Sequence, residues 1–290
     1  MNKIPVTYLG PVGATFSDVA YHRLARCYIS PFGDEADYRP VSSNVEVVGE
    51  VIRHRGYGAV AVETLAQGRV SEPFEAFVEL LGKYDHSSCP MSVIGALKMR
   101  LSFCLMVRRG MAIKNVQGIL AHTKSFGACK KNVANLGLAI REVSSNGEAA
   151  RLIAEDEKYA SWAALGPESA GEKYGLEIIE KKMEDSIAVT TFFLLGPRGA
   201  SVSVGKKNRV LIVFRVKHVP GALLKALKPW DEYGFNLSHL HSVHVENGSY
   251  DFATEVEVGE DKISSFYQAL GMFRGEVNSF ISFGPFQVLC

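Results

Sequence analysis

The chain has 290 residues, with 32 Lys and Arg against 31 Asp and Glu, so its formal charge is +1 when the 8 His are neutral. At 47% apolar and 22% charged residues it has the composition of a folded globular protein, long enough for about two domains. The near-zero charge argues against a nucleic-acid partner, no apolar run approaches the roughly 18 residues of a membrane span, and Met1 to Thr7 lack a signal-peptide pattern, which points to a cytoplasmic protein. The widely spaced Cys27, Cys89, Cys104, Cys129 and Cys290 read as reduced, buried thiols. There is no H-E-x-x-H motif, and only His239, His241 and His244 cluster, so neither a metal nor another cofactor is expected.

Pro5 to Leu9 reads as a strand closed by Gly10-Pro11 and Gly13. Thr15 or Ser17 then caps a helix with Val19, Ala20, Leu24 and Ala25 as its apolar stripe. Pro31 and Gly33 interrupt, Val45 to His54 forms a second helix, and Ala59 to Val62 a buried strand. A helix carrying Phe74, Phe77, Val78 and Leu81 follows, and a second unit begins near Gly82. In it, Leu101 to Val107, Gly118 to Ala121 and Ala163 to Leu165 are predicted strands. The predicted helices are His122 to Leu136, Glu148 to Ala154 behind a Ser145-Asn146-Gly147 cap, and Glu168 to Tyr174 stopped by Gly175. Thr190 to Leu195 is a β-branched and aromatic strand. The alternation of strands and helices indicates α/β layers.

From Pro197 to Asn208 the chain turns small and polar, as a linker does. Beyond it the order is strand (Val210 to Phe214), helix (Gly221 to Tyr233, ended by Gly234), and two strands (Leu237 to Val245, Tyr250 to Val258) joined by an Asn247-Gly248 turn. A helix over Asp261 to Leu270 and a strand over Phe283 to Leu289 complete a ferredoxin-like unit.

Five strand-to-turn junctions offer small polar residues at helix starts: Gly13 to Ser17, Glu63 to Gln67, His122 to Ser125, Ser144 to Gly147 and Ala188 to Thr191. Such positions suit a carboxylate or phosphate, and open α/β sheets bind ligands at the carboxyl ends of their strands. Leu9 to Gly13 lacks both the dinucleotide and the P-loop spacing.

Several segments, in order along the chain, resemble those of prephenate dehydratases with a C-terminal ACT domain. They are Tyr8-Leu-Gly-Pro11 with Gly13 and Thr15-Phe-Ser17, Val62-Glu63 with Gly68 and Val70, Ser145 with Glu148-Ala-Ala150, Tyr174-Gly-Leu176, and Pro220-Gly-Ala-Leu223 with Gly234-Phe-Asn-Leu237. The resemblance covers almost the whole chain. It implies a two-lobed, periplasmic-binding-protein-like (type II) α/β catalytic unit over residues 1–196. Lobe 1 takes residues 1–80 and 184–196, and lobe 2 takes residues 81–183. A linker (197–208) and a ferredoxin-like ACT domain (209–290) follow. It further implies prephenate in the cleft between the lobes, and a homodimer or homotetramer.

The signatures depart from that family. Its Thr-Arg-Phe is here Thr190-Thr191-Phe192, its Glu-Asn-Ser is Glu63-Thr64-Leu65, Gln67 stands where Glu is common, and Ala188 replaces an Asn. In the ACT part, the family's Glu-Ser-Arg-Pro is His241-Ser-Val-His244, which is expected to weaken recognition of phenylalanine. A threonine cannot give a carboxylate the planar bidentate match of the missing arginine. The altered signatures resemble those of prephenate dehydratase-like enzymes of antibiotic and natural-product pathways, and that resemblance implies nonaromatising decarboxylation of prephenate to a dihydro-4-hydroxyphenylpyruvate. The alternatives are a prephenate dehydratase of phenylalanine biosynthesis and a noncatalytic ACT protein that binds a small carboxylate.

The expected catalytic hydroxyls are Thr190, Thr15, Ser17 and Thr64. Substrate contacts are expected from Gly13, Ala14, Glu63, Leu65, His122, Thr123, Lys124, Ser145, Asn146, Thr191 and Phe192, with the leaving carboxylate in an apolar pocket beside Leu65 or Phe192. The proton donor is His122 or a bound water. Gly221, Ala222, Leu223, Asn236, Leu237, His241 and Ser242 form the expected effector region.

Overall fold

The computed structural model describes residues 3–28, 35–66, 68–200, 207–244 and 250–289. Gln67, linker residues 201–206, the Asn247-Gly248 turn, Cys290 and the His244 side chain lie outside the described part.

Strands β1 (Ile4–Tyr8), β2 (Ala36–Tyr38) and β3 (Tyr57–Thr64) pair in parallel, with helices α1 (Phe16–Tyr28) and α2 (Asn44–His54) as crossovers. Both helices start at hydroxyl caps: Asp18 N donates to Thr15 Oγ1 and Glu46 N to Ser43 Oγ. The two-residue strand β4 (Gly68–Arg69) folds back on β3, and α3 (Ser71–Glu79) buries Phe74 and Phe77.

The expected strand over Leu101 to Val107 is two strands. β5 (Met91–Leu101) ends at Leu101, and β6 (Cys104–Val107) begins after a break at Ser102–Phe103, where the chain passes to a second sheet. Strand β5 pairs with the returning β11 (Ala188–Pro197), which also pairs with β3. A lobe boundary at residue 81 therefore precedes a strand that belongs to the first sheet. The first part of strand β5, Val93 to Leu97, is buried on both faces and lacks apolar–polar alternation, which appears only over Leu97 to Leu101 and left the strand unmarked in the sequence reading. Its Gly95 lies flat against Tyr28, where a Cβ would come within 2.4 Å of the ring.

The second sheet has the order β10-β6-β9-β7-β8, with β7 at Gly118–Ala121, β8 at Ala139–Glu142, β9 at Trp162–Gly166 and β10 at Glu177–Lys181. Around it pack α4 (Thr123–Ala128), α5 (Lys130–Asn135), α6 (Asn146–Glu155) and α7 (Glu168–Tyr174). The single helix expected over 122–136 breaks at Cys129, whose backbone leaves the helical region. Cys89, Cys104 and Cys129 are buried as expected, whereas Cys27 is exposed.

The remaining chain forms β12 (Lys207–Arg215), α8 (Ala222–Glu232), β13 (Leu237–His244), β14 (Tyr250–Gly259), α9 (Ile263–Glu276) and β15 (Ser279–Leu289). The strands are antiparallel in the order β13-β14-β12-β15, and Trp230, Phe266 and Phe273 tie the two helices to them. Gln287 to Leu289 then pair in parallel with Gly95 to Leu97, so this sheet continues into the first as one ten-stranded sheet. One core accordingly holds Val60, Phe77 and Phe193 together with Leu211, Ile281 and Phe286. The architecture is a two-lobed α/β unit joined to a C-terminal β-sheet covered by two helices. Among the described residues no helix is long and apolar enough to cross a membrane.

Candidate active site

The lobes face each other across a cleft with about 920 Å³ of empty space, open solvent at its mouth included. The first wall comes from Leu9 after β1, Thr15, Phe16 and Ser17 at the start of α1, Asn44 at the start of α2, Thr64 at the end of β3, Glu72 on α3, and Thr190 and Phe192 on β11. The second wall is His122, Lys124 and Ser125 at the start of α4, with Ser145 and Asn146 at the start of α6. Leu101 and Phe103, at the crossing between sheets, form an apolar floor in which Phe103 meets Phe16 edge-on at 5.0 Å.

Local chemistry explains why these groups converge. Thr15 Oγ1 donates to Leu9 O at 2.7 Å and accepts from Asp18 N at 3.1 Å, which locks the first turn of α1. On the opposite wall Asn146 Oδ1 accepts from His122 N at 3.0 Å and from Ser125 Oγ at 2.9 Å, tying the starts of α4 and α6 together. Ser145 Oγ caps α6 by accepting from Glu148 N. In contrast, the nearly buried Thr190 hydroxyl, paired in register with Thr64, has no hydrogen bond to any other described residue.

Lys124 is the single Lys or Arg among the described residues lining the cleft. Burial pushes its ammonium below the ordinary lysine value, with Glu72 opposing. Burial, and then Lys124, lower the pKa of His122, which favours its neutral ring. Because His122 Nδ1 accepts from Lys124 N, the proton of that ring sits on Nε2. Among the described residues no three His, Cys, Asp or Glu side chains are grouped to hold a metal ion.

Nine of the expected residues line the cleft: Thr15, Ser17, Thr64, His122, Lys124, Ser145, Asn146, Thr190 and Phe192. Six do not. Gly13 and Ala14 lie beside it, Gly13 donating to Asp18 Oδ1 and Ala14 buried in the core of the second lobe. Thr123 is exposed on α4, and Leu65 is 67% exposed, so no apolar pocket forms beside Leu65. Thr191 and Glu63 occupy the opposite face of the strand pair, where the Thr191 hydroxyl donates to Glu63 Oε2 at 3.5 Å. His239 Nε2 of the C-terminal unit lies 3.8 Å from the same oxygen.

Sequence reading missed Asn44, Glu72, Ser125 and Phe103 as lining residues. Only Ser125 carried a signal, since it stands in the Thr-Lys-Ser turn already singled out.

The expected effector residues also separate. Gly221, Ala222 and Leu223 line a pocket with Val219, Tyr250 and Phe252. Asn236 instead donates to Glu257, Leu237 packs on the C-terminal core, Ser242 is exposed, and the His241 ring lies 5.9 Å from Phe74 of the first lobe.

The chain matches the prephenate dehydratase family over residues 6–200. It is 29% identical over 259 residues to a prephenate dehydratase of Corynebacterium glutamicum, an alignment covering 87% of this chain and 78% of the relative. A solved prephenate dehydratase from Arthrobacter aurescens in complex with L-Phe is similar with a TM-score of 0.81 at 22% identity, over 98% of this chain and 90% of that one. GqqA, described as a novel type of quorum quenching acylase, gives a TM-score of 0.78 at 23% identity over 97% of both chains. At such identities the two structures speak for the fold alone. The family match spans every residue that lines the cleft, and the chain belongs to the prephenate dehydratase family.

Proposed function

We propose that the protein is a prephenate dehydratase, forming phenylpyruvate, CO2 and water. The observation that carries this reading is the family match over residues 6–200, which contains the whole cleft. It corrects the expectation of a nonaromatising decarboxylase in an antibiotic pathway, because the relatives aligned along this chain are prephenate dehydratases. The physical basis of that expectation also fails. It rested on the arginine missing at position 191, and Thr191 faces Glu63 on the far side of the strand pair.

In the proposed reaction the bond from ring to carboxylate breaks to release CO2, and its electrons aromatise the ring as the C4–O bond breaks. The departing hydroxide takes up a proton to become water. Lys124 supports this by offering a poorly solvated cation to the dianionic substrate. Phe16, Phe103 and Phe192 provide an apolar surface for the ring, and Thr190, whose hydroxyl has no protein partner among the described residues, is placed to donate to the leaving hydroxyl.

Residues 1–196 would form the catalytic unit in a type II periplasmic-binding-protein-like arrangement, residues 197–208 the linker, and residues 209–290 an ACT domain. The strand order β13-β14-β12-β15 with its two helices supports that last assignment. Exposed Val219, Leu224 and Leu240 on this unit favour a homodimer or homotetramer.

The test is incubation of purified protein with prephenate while phenylpyruvate is followed by its absorbance in base. Phenylpyruvate should appear in step with CO2. Release of CO2 with the ring hydroxyl retained, or binding without turnover, would overturn the proposal.

A further inference from the structure

Asn44 opens α2 and lines the cleft, yet is only 7% exposed. Its Nδ2 donates to Glu72 Oε2 at 3.1 Å, which fixes the orientation of the carboxamide, because the flipped amide would set oxygen against oxygen. The Oδ1 atom is buried and accepts no hydrogen bond. Of the buried side-chain polar atoms without a partner among the described residues, it alone belongs to a residue lining the cleft. Of the other polar groups in the cleft, Thr15 and Ser145 cap helices and Asn146 Oδ1 takes two donors, while the Thr190 hydroxyl stays open to a ligand. An acceptor left in this state is destabilising, and a donor from a ligand relieves it.

We propose that Asn44 is a specificity-determining residue whose Oδ1 accepts a hydrogen bond from the ring hydroxyl of the substrate. This rests on prephenate being the substrate. At neutral pH prephenate carries two carboxylates and a ketone, all acceptors, and its hydroxyl is its sole donor. Only that group satisfies Asn44 Oδ1. The hydroxyl end of the ring is then directed to the first lobe, and the carboxylates to Lys124 on the second. The reversed pose sets a carboxylate oxygen against Asn44 Oδ1, which disfavours it.

The experiment measures binding of 4-hydroxyphenylpyruvate and phenylpyruvate by titration calorimetry, on the wild-type chain and on Asn44→Ala and Glu72→Gln. Wild type should favour the hydroxylated ligand by about tenfold, and Asn44→Ala should erase that preference by weakening the hydroxylated ligand alone. Glu72→Gln, on an exposed side chain, frees the amide to flip and should cut the preference by about two- to threefold; it decides the matter if Asn44→Ala fails to fold. Equal weakening of both ligands, or an unchanged preference, overturns the inference. Because binding needs no turnover, failure of wild type to convert prephenate would instead refute the reaction proposed above.

Discussion

Thr190 and Thr191 are neighbours in sequence but look onto different parts of the molecule. Successive strand residues point to opposite faces, so Thr190 and Phe192 enter the cleft while Thr191 meets Glu63 and, through it, His239. Restoring arginine therefore tests the geometry. Thr191→Arg should place its guanidinium against Glu63, leave phenylpyruvate as the product, and change kcat by less than about threefold, as read by product analysis and initial rates. Lys124 should behave oppositely. A bound dianion favours the protonated ammonium, and burial has already lowered its pKa in the free protein. KM should accordingly rise as pH climbs through that lowered value, well before an ordinary lysine titrates. Lys124→Met should raise KM about tenfold at neutral pH and flatten the alkaline limb, which a kcat/KM profile over roughly pH 7–10 would show. The site was legible in sequence where a residue's role is local, as with the caps Thr15 and Ser145. It was not legible at Asn44 and Glu72, because their partnership spans 28 positions and appears only when α2 packs on α3. The signature triplet misled because it was read as a block, although a strand divides such a block between two faces.

At the scale of elements, the starts of α1 and α6 meet across the lobes, and Gly147 permits the approach. A Cβ there would stand 2.6 Å from Pro11 Cδ and 2.9 Å from Ala14 O. Gly147→Ala should push α6 away from the Pro11–Ala14 turn, taking Ser145 and Asn146 with it. The expected cost is about 1–3 kcal/mol in thermal or urea unfolding, together with a larger loss in kcat than in substrate affinity. A variant with wild-type stability and wild-type kcat would show that the contact is dispensable. The helices themselves were the most legible elements, since their ends are written in single residues. Ser145 caps α6, and Gly175 adopts a left-handed φ of 66° after α7. Edge strands β8 and β10 were missed for the complementary reason. Strand β8 is exposed along its length and β10 over most of it, so neither shows an apolar face to mark it.

At the scale of the whole molecule, the C-terminal unit is bound to the two α/β lobes by more than chain connectivity. Strand β15 completes the ten-stranded sheet beside β5, and a charge cluster lies across the junction. Glu255 on β14 is only 3% exposed, with Arg69 Nη2 of β4 at 2.9 Å and Arg209 Nη1 of β12 at 3.0 Å. Arg69 also lies over the Phe74 ring, 4.6 Å from its centroid, and one of its buried nitrogens finds no acceptor among the described residues. None of this was readable from sequence, because Arg69 and Glu255 are 186 positions apart and each alone looks like solvated surface. Removing one partner of a buried pair typically costs about 3–5 kcal/mol, but Arg209 stays beside Glu255, so Arg69→Met should cost about 2 kcal/mol. Glu255→Gln should cost less in the Arg69→Met background than in wild type, the coupling expected of groups in direct contact. Since strands and core run continuously from one unit to the other, each variant should shift a single unfolding transition. Calorimetry that instead resolved two transitions, with only one displaced by Arg69→Met, would mean that the shared sheet does not couple the two units.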